Sequence, residues 1–467
     1  MSLMFLLLIP LIGCLFGLIS KKSAVNVWMV TLFTLGTSIL YVLYLFSKIN
    51  LNEYGLFFSS SYYWWGDEKI KLSLGVDVFS LFLLLSVYIS IFIGLMGLSE
   101  ISKKNKLLMI SCLIFVWAIT GFFIVTDMVS FYIFFTCMLL PLYMMNVTCG
   151  NVKKSPVLLR FFIFNFVGVL FLLSAILILF KFYNENVLLE KIALIDLPEN
   201  VGLYVWSSIC IAFISRIPVW PFHYWISAIS TGTKNSLVYV ITNLLPLSGL
   251  YAFVRFWPVS VPEAIDAFMP VVETFCIMTM MFIALIGVAH KDFLYKLFSY
   301  STIYYLLFLL AVVLPTDTLK MNIVYSLFTF LIVNSSLVVL DLQLELECEE
   351  NRCDYRGILA YMPKLSKIFV IFLLIAVGLP LSSLFWNNFI LISAIFKESF
   401  LTAVWVMGAI TLISVSLIYE LYVMKDLQNY SENALSVEDL YGWKLVFFII
   451  IITILFLSFF NPLWFIV

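Results

Sequence analysis

The apolar residues of this chain fall in long runs, and most polar residues lie between them. A helix needs about 20 apolar residues to cross a bilayer core. About 14 such segments are predicted. They fall at 3–20, 25–47, 78–98, 106–125, 129–147, 157–182, 202–228, 236–256, 269–289, 294–314, 320–341, 366–393, 400–424 and 442–464. The expected fold class is an all-α polytopic membrane protein, a single membrane domain over 1–467, because isolated helices satisfy their own backbone in lipid.

Two segments are interrupted. The seventh contains ISRIPVWPFHYW at 214–225, with Arg216, His223, Pro218 and Pro221. Each proline lacks an N–H and clashes with the carbonyl four residues back, so a break is predicted. A guanidinium there is costly against lipid and needs a protein or water partner. The twelfth contains VGLPLSSLFWNN at 377–388, interrupted by Gly378 and Pro380. Broken segments five helices apart suggest two five-helix repeats. These are helices 4–8 over 106–256 and helices 9–13 over 269–424, with N-terminal helices at 1–100 and a last helix at 442–464. Three connections, 48–77, 183–201 and 342–365, are long enough for surface structure, and the third is expected to be a solvated, acidic-then-basic loop.

Composition agrees with this class. Hydrophobic residues make up 64% and charged residues 11%, against about 25% charged in soluble domains. The net charge of -1 argues against a nucleic-acid partner. The 8 cysteines include no CxxC pair and the chain has 2 histidines, so no metal site is expected, even with Cys348 and Cys353 in one loop. The first apolar run lacks a basic stretch before it and reads as a retained helix. Lys and Arg favour one side of the predicted topology by about two to one, which assigns that side to cytoplasm or matrix and both termini to the other.

Several stretches then resemble the antiporter-like membrane subunits of respiratory complex I (NADH–ubiquinone oxidoreductase), the subunit 4 group most closely. LSLGVDVFSLFLLL at 72–85, FYIFFTCMLLPLY at 131–143 and RIPVWPFHYW at 216–225 resemble the family's third, fifth and seventh helices. GLYAFVRF at 249–256, KDFLYKLFSYSTI at 291–303, RGILAYMPKLSKIF at 356–369 and GLPLSSLFWNNFIL at 378–391 resemble later segments in the same order. The resemblance implies 14 helices in two inverted five-helix repeats, with helices 7 and 12 broken. It implies a place in a complex that couples NADH:ubiquinone electron transfer to proton translocation. It also implies the mitochondrial inner membrane, with both termini on the intermembrane-space side, and neighbours resembling subunits 2 and 5 together with lipids. No cofactor is expected in this chain. NADH, FMN, iron–sulfur clusters and ubiquinone belong elsewhere in the complex, since the chain has no Gly-rich dinucleotide fingerprint and no suitable cysteine set. The alternative is a stand-alone cation/proton antiporter.

The chain departs from the family where the chemistry lies. The fifth-helix glutamate position is Thr136, the eighth-helix lysine position Leu247 and the twelfth-helix acid position Asn388. The seventh-helix lysine position is Arg216. Threonine, leucine and asparagine do not titrate usefully, and arginine stays protonated. Arg216 and His223 are the proton-path candidates, Arg216 through its field or as a clamp on freed carbonyls, His223 because imidazole titrates near neutrality. His223 can equally satisfy a broken-helix carbonyl. Asp77, Asp127 and Asp292 near span ends read as helix caps or loop contacts. Lys291, Lys296 and Lys397 read as snorkelling side chains.

Overall fold

The computed structural model describes residues 3–19, 27–49, 55–64, 67–149, 155–183, 188–189, 197–223, 235–256, 262–313, 319–351, 359, 361–380, 382–425, 439–440 and 442–459. Ten segments among them are helical and apolar for long enough to cross a membrane. Met4–Ile19, Asn200–Ile214 and Gly442–Phe456 are shorter apolar helices.

In chain order the helices are α1 (Met4–Ile19), α2 (Val27–Phe46), α3 (Val78–Met96), the short α4 (Glu100–Lys103), α5 (Lys106–Ile124), α6 (Met128–Cys137), α7 (Leu139–Cys149), α8 (Ser155–Tyr183) and α9 (Glu199–Ile214). They continue as α10 (Ser236–Phe256), α11 (Pro262–Ala289), α12 (Phe293–Val313), α13 (Leu319–Asn351), α14 (Pro363–Val377), α15 (Ser383–Glu398), α16 (Phe400–Lys425) and α17 (Gly442–Phe459). Between α2 and α3 the chain forms an antiparallel pair, β1 (Phe57–Trp64) and β2 (Asp67–Val76). Ser60 pairs with Leu74 and Tyr62 with Leu72.

The chain divides into two compact units. The first comprises Met1–Phe92, Ser99–Thr233 and Ile241–Cys276, the second Ile93–Leu98, Lys234–Val240 and Ile277–Val467. In unit 1, α1 packs on α2 and α5, α5 on α6 and α7, and α8 on α9. In unit 2, α12 packs on α13 and α16, and α13 packs on α14 and α15. The apolar windows of α10 and α12 are 94% buried, against 33% for α2 and 39% for α16. The exposed side chains of the latter, such as Phe33, Leu40, Val415 and Leu401, are large and apolar, which suits lipid rather than water.

The interrupted helices have local causes. α9 stops at Ile214, and 215–223 proceed as turns: Arg216 N and Ile217 N both donate to Phe213 O, Val219 N to Ile217 O and Phe222 N to Val219 O. α14 ends at Gly378, whose φ of 85° is the left-handed conformation that glycine alone adopts cheaply. Gly378 N then donates to Ile375 O and Leu379 N to Leu374 O, and the Ser382 hydroxyl accepts from Phe385 N to start α15. A third interruption, at Met138 between α6 and α7, was not expected; Pro141 leaves the Cys137 carbonyl without its helical donor.

The 342–365 connection differs from expectation over its first part. α13 runs on to Asn351. LELE-type sequence is strongly helix-forming, and Leu342 and Leu344 are buried, so packing extends the helix past its apolar core. Residues 352–358 and 360 of that connection, with Cys353, lie outside the described residues. The 48–77 connection does carry surface structure, the hairpin. Its second strand is tied to the start of α6, where Thr126 N donates to Ser73 O and Ser73 N donates to Asp127 Oδ1.

A Cβ at Gly249 would lie 2.7 Å from the Phe213 carbonyl oxygen and 2.9 Å from Arg216 Cβ, both on slow-to-yield backbone or its first side-chain atom. Gly249→Ala is expected to lower stability by about 1–3 kcal/mol through overpacking, seen as a lower thermal midpoint of the detergent-solubilised protein. Tyr251 donates its hydroxyl to Phe123 O at 2.9 Å and receives Arg255 Nε at 2.9 Å. Tyr251→Phe keeps the ring stacking but leaves that carbonyl bare, at about 1–3 kcal/mol; an unchanged midpoint would show the bond to be dispensable.

Candidate functional site

Arg216 is completely buried one residue beyond the C-cap of α9. Its Nη2 donates to the Phe135 carbonyl at 2.5 Å, and its guanidinium carbon lies 4.1 Å from the centroid of the Phe135 ring. Phe135 is in the last turn of α6, whose final carbonyls have no helical donors. The guanidinium therefore caps one broken helix from another and rests on a ring face, a cation–π contact. Its Nε and Nη1 have no hydrogen-bond partner among the described residues, and no carboxylate pairs with it there.

Thr136 follows Phe135 directly, and its hydroxyl donates within its own helix to Tyr132 O at 2.8 Å. The structure thus brings the Thr136 and Arg216 positions together, with the main chain in place of an acid. Gly249 of α10 touches Arg216 Cβ, and Leu247, two residues earlier and beside Pro246, is fully buried. His223 is half-buried at the end of the turns that follow α9. Trp225 and Lys234 lie outside the described residues.

Asn388 belongs to unit 2. Its Nδ2 donates to the Tyr304 hydroxyl at 2.7 Å, while its Oδ1 is buried with no hydrogen-bond partner. The Tyr304 ring stacks on Phe330, with centroids 5.2 Å apart.

The carboxylates near span ends act as caps in two of three cases. Asp77 Oδ1 accepts from Ser80 N at 2.8 Å and pairs with Arg255 Nη2 at 2.9 Å. Asp127 Oδ2 accepts from Ser130 N at 2.8 Å. Asp292 is exposed beside His290, 3.7 Å away.

Lys296 corrects the snorkelling expectation. Its side chain is 2% exposed, and Nζ meets Glu420 Oε1 at 2.6 Å. Lys291 and Lys397 are exposed, as snorkelling requires. The reason Lys296 differs is its partner: a carboxylate on the neighbouring α16 stabilises the ammonium in place of water. Sequence reading missed Glu420, although an acid inside SVSLIYELYV is itself a signal of a buried function. It also missed Asp341 of α13, which is completely buried.

Comparison with known proteins bears on what these groups serve. A family profile described as NADH:quinone oxidoreductase/Mrp antiporter, TM, matches residues 125–414. The NADH-quinone oxidoreductase subunit M of Rickettsia typhi is 24% identical over 410 residues, 85% of this chain and 82% of that one. The NADH-ubiquinone oxidoreductase chain 4 of Arabidopsis thaliana is 25% identical over 405 residues, 85% of this chain and 81% of that one. A chain of respiratory complex I from Thermus thermophilus with bound NADH has the same fold, with a TM-score of 0.85 at 22% identity, over 97% of this chain and 94% of that one. With more than half its length matched by the one profile, this chain belongs to the NADH:quinone oxidoreductase/Mrp antiporter membrane family.

Proposed function

We propose that the chain is a multi-pass membrane-arm subunit of a proton-translocating NADH:quinone oxidoreductase, in the place that subunit M or chain 4 holds in its relatives. The observation that carries this reading is the extent of the match. Relatives with those names align over 82% and 81% of their own length. On this reading the chain is part of an oxidoreductase without holding its redox centres. NADH, FMN, iron–sulfur clusters and ubiquinone are bound by other subunits. Its neighbours resemble subunits 2 and 5, and the similarity to the Arabidopsis thaliana chain 4 supports the mitochondrial inner membrane. Both termini then face the intermembrane space.

Within unit 1 the proton route is closed. Leu247 has no exchangeable side-chain proton, and the Thr136 hydroxyl does not titrate at any useful pH and is held on Tyr132 O of its own helix at 2.8 Å. Arg216 stays charged and holds a carbonyl, which makes it a clamp and a fixed positive potential rather than a carrier. His223 stands at the half-exposed end of the turns, and we assign it to the broken backbone rather than to a proton route.

The stand-alone antiporter is the competing reading, since the family description names antiporters as well. On a native gel of solubilised membranes, the chain is expected to co-migrate with an NADH-oxidising assembly; migration as a small independent complex would reject the reading. Arg216→Met tests the closed route. It is expected to cost about 1–3 kcal/mol of stability through the lost charge-assisted bond. The number of protons moved per electron pair in sealed vesicles should stay unchanged. A lower ratio in a fully assembled complex would put unit 1 back on the route.

A further inference from the structure

The buried ion pair of unit 2 and the tyrosines beyond it form one feature. Lys296 lies in the first turn of α12, and Glu420 lies five residues before the end of α16. Their side chains are 2% and 9% exposed and meet at 2.6 Å. Tyr419, the residue before Glu420, presents its ring 5.8 Å from Lys296 Nζ. Near the start of α12 the buried Tyr239, packed on Phe298, lies within electrostatic reach of Asp341, Glu345 and Asp292.

Lys296, Tyr300 and Tyr304 follow at intervals of four, so they share one face of α12. Helical side chains lean toward the N-terminus, which tilts each tyrosine toward the member before it. Successive members rise about 6 Å along the axis, and water is needed to join their polar ends. Tyr300 and Tyr304 are both essentially unexposed, with ring centroids 4.6 Å apart. Tyr300 donates to the Ala376 carbonyl at 3.2 Å, in the last turn of the broken α14. Tyr304 receives Asn388 Nδ2, and Asn388 Oδ1 stands beyond it as a buried acceptor with no hydrogen-bond partner.

We propose that Glu420 and Lys296 are the proton-exchanging pair of unit 2, and that the hydroxyls of Tyr300 and Tyr304 carry their protons toward Asn388. This inference rests on the proton-translocating reading above. At rest the pair is carboxylate and ammonium, with no net charge. A proton arriving from the aqueous end binds the Glu420 carboxylate. The ammonium, its counter-charge gone in a poorly solvated site, releases one proton to a water beside Tyr300. Each hydroxyl then accepts one proton and gives up its own, as a group that is both donor and acceptor can, and the last passes to water at Asn388 Oδ1. Transfer of the Glu420 proton to the neutral amine restores the ion pair. One proton enters and one leaves.

The test uses the assembled complex in sealed vesicles, with assembly followed on native gels. Glu420→Gln and Lys296→Met are expected to slow coupled quinone reduction on the order of tenfold and to lower the protons moved per electron pair. Tyr304→Phe keeps the ring packing, so it carries the test if the other two do not assemble; it is expected to lower the same ratio. Redox-induced infrared difference spectra should show a protonated-carboxyl band that Glu420→Gln removes. An unchanged ratio in assembled Tyr304→Phe, or no Glu420-dependent band, overturns the proposal. Full restoration of turnover by Lys296→Glu with Glu420→Lys, alongside an unaffected Tyr304→Phe, assigns the pair to packing and also overturns it. Migration of the unaltered chain outside an NADH-oxidising assembly overturns the proton-translocating reading together with the pair, whereas unaffected variants inside such an assembly overturn the pair alone.

Discussion

The backbone carbonyls at helix ends are the constraint on which this structure depends. Each α-helix leaves its last four carbonyls without helical donors, and lipid offers them none. Here side chains from other helices fill the gap. Lys106 Nζ donates to Leu18 O at the end of α1, Ser236 Oγ to Gly94 O near the end of α3, and Tyr251 to Phe123 O near the end of α5. Arg216 and Tyr300 do the same for the interrupted α6 and α14. Every such bond fixes two helices at a named height, so capping and helix packing are one and the same interaction. This also explains why polar residues persist inside spans that apolar packing alone would fill.

The buried charges obey the same accounting but with different partners. Arg255 and Asp77 are each about a fifth to a quarter exposed, so water shares in their solvation and the pair chiefly pins α10 to the start of α3. Lys296 and Glu420 are almost unexposed, and removing one partner from such a pair costs about 3–5 kcal/mol. Arg216 is fully buried and has no carboxylate among the described residues, only a carbonyl and a ring face. Arginine is the cation best able to live there, because its charge is delocalised and its planar face stacks.

Much of the fold is visible in the sequence, because the apolar runs have bilayer length and prolines and glycine mark the breaks at 214–225 and 377–388. The extension of α13 was not visible from hydropathy, since the residues beyond 341 are polar and only burial of Leu342 and Leu344 reveals their packing. The site was partly legible. Arg216 stands out as a cation in a broken apolar run, and the Thr136, Leu247 and Asn388 positions follow from motif spacing. Glu420 did not stand out, because one acid in a span carries no spacing rule and its partner lies 124 residues away. Period-four placement of Lys296, Tyr300 and Tyr304 was present in the sequence, but tyrosine in an apolar helix usually reads as packing.

The substitutions at 136 and 216 make sense as a pair. A lysine opposite threonine would lose its counter-charge, and burial would drive the amine neutral. The site would then be a dry gap with an unsatisfied carbonyl at Phe135. Arginine cannot escape in that way, since it remains protonated. It needs an acceptor, and the carbonyl at the α6 break supplies one. If the resemblance places an acid at 136 and a lysine at 216 in the family, threonine and arginine trade a pair that can give and take a proton for one that only holds a charge. A fixed, fully buried positive charge repels any proton that approaches it. On the proposed reading, closure of unit 1 and capping of α6 have a single cause. A titratable pair is still needed if the chain is to move protons, and among the described residues the buried one is in unit 2.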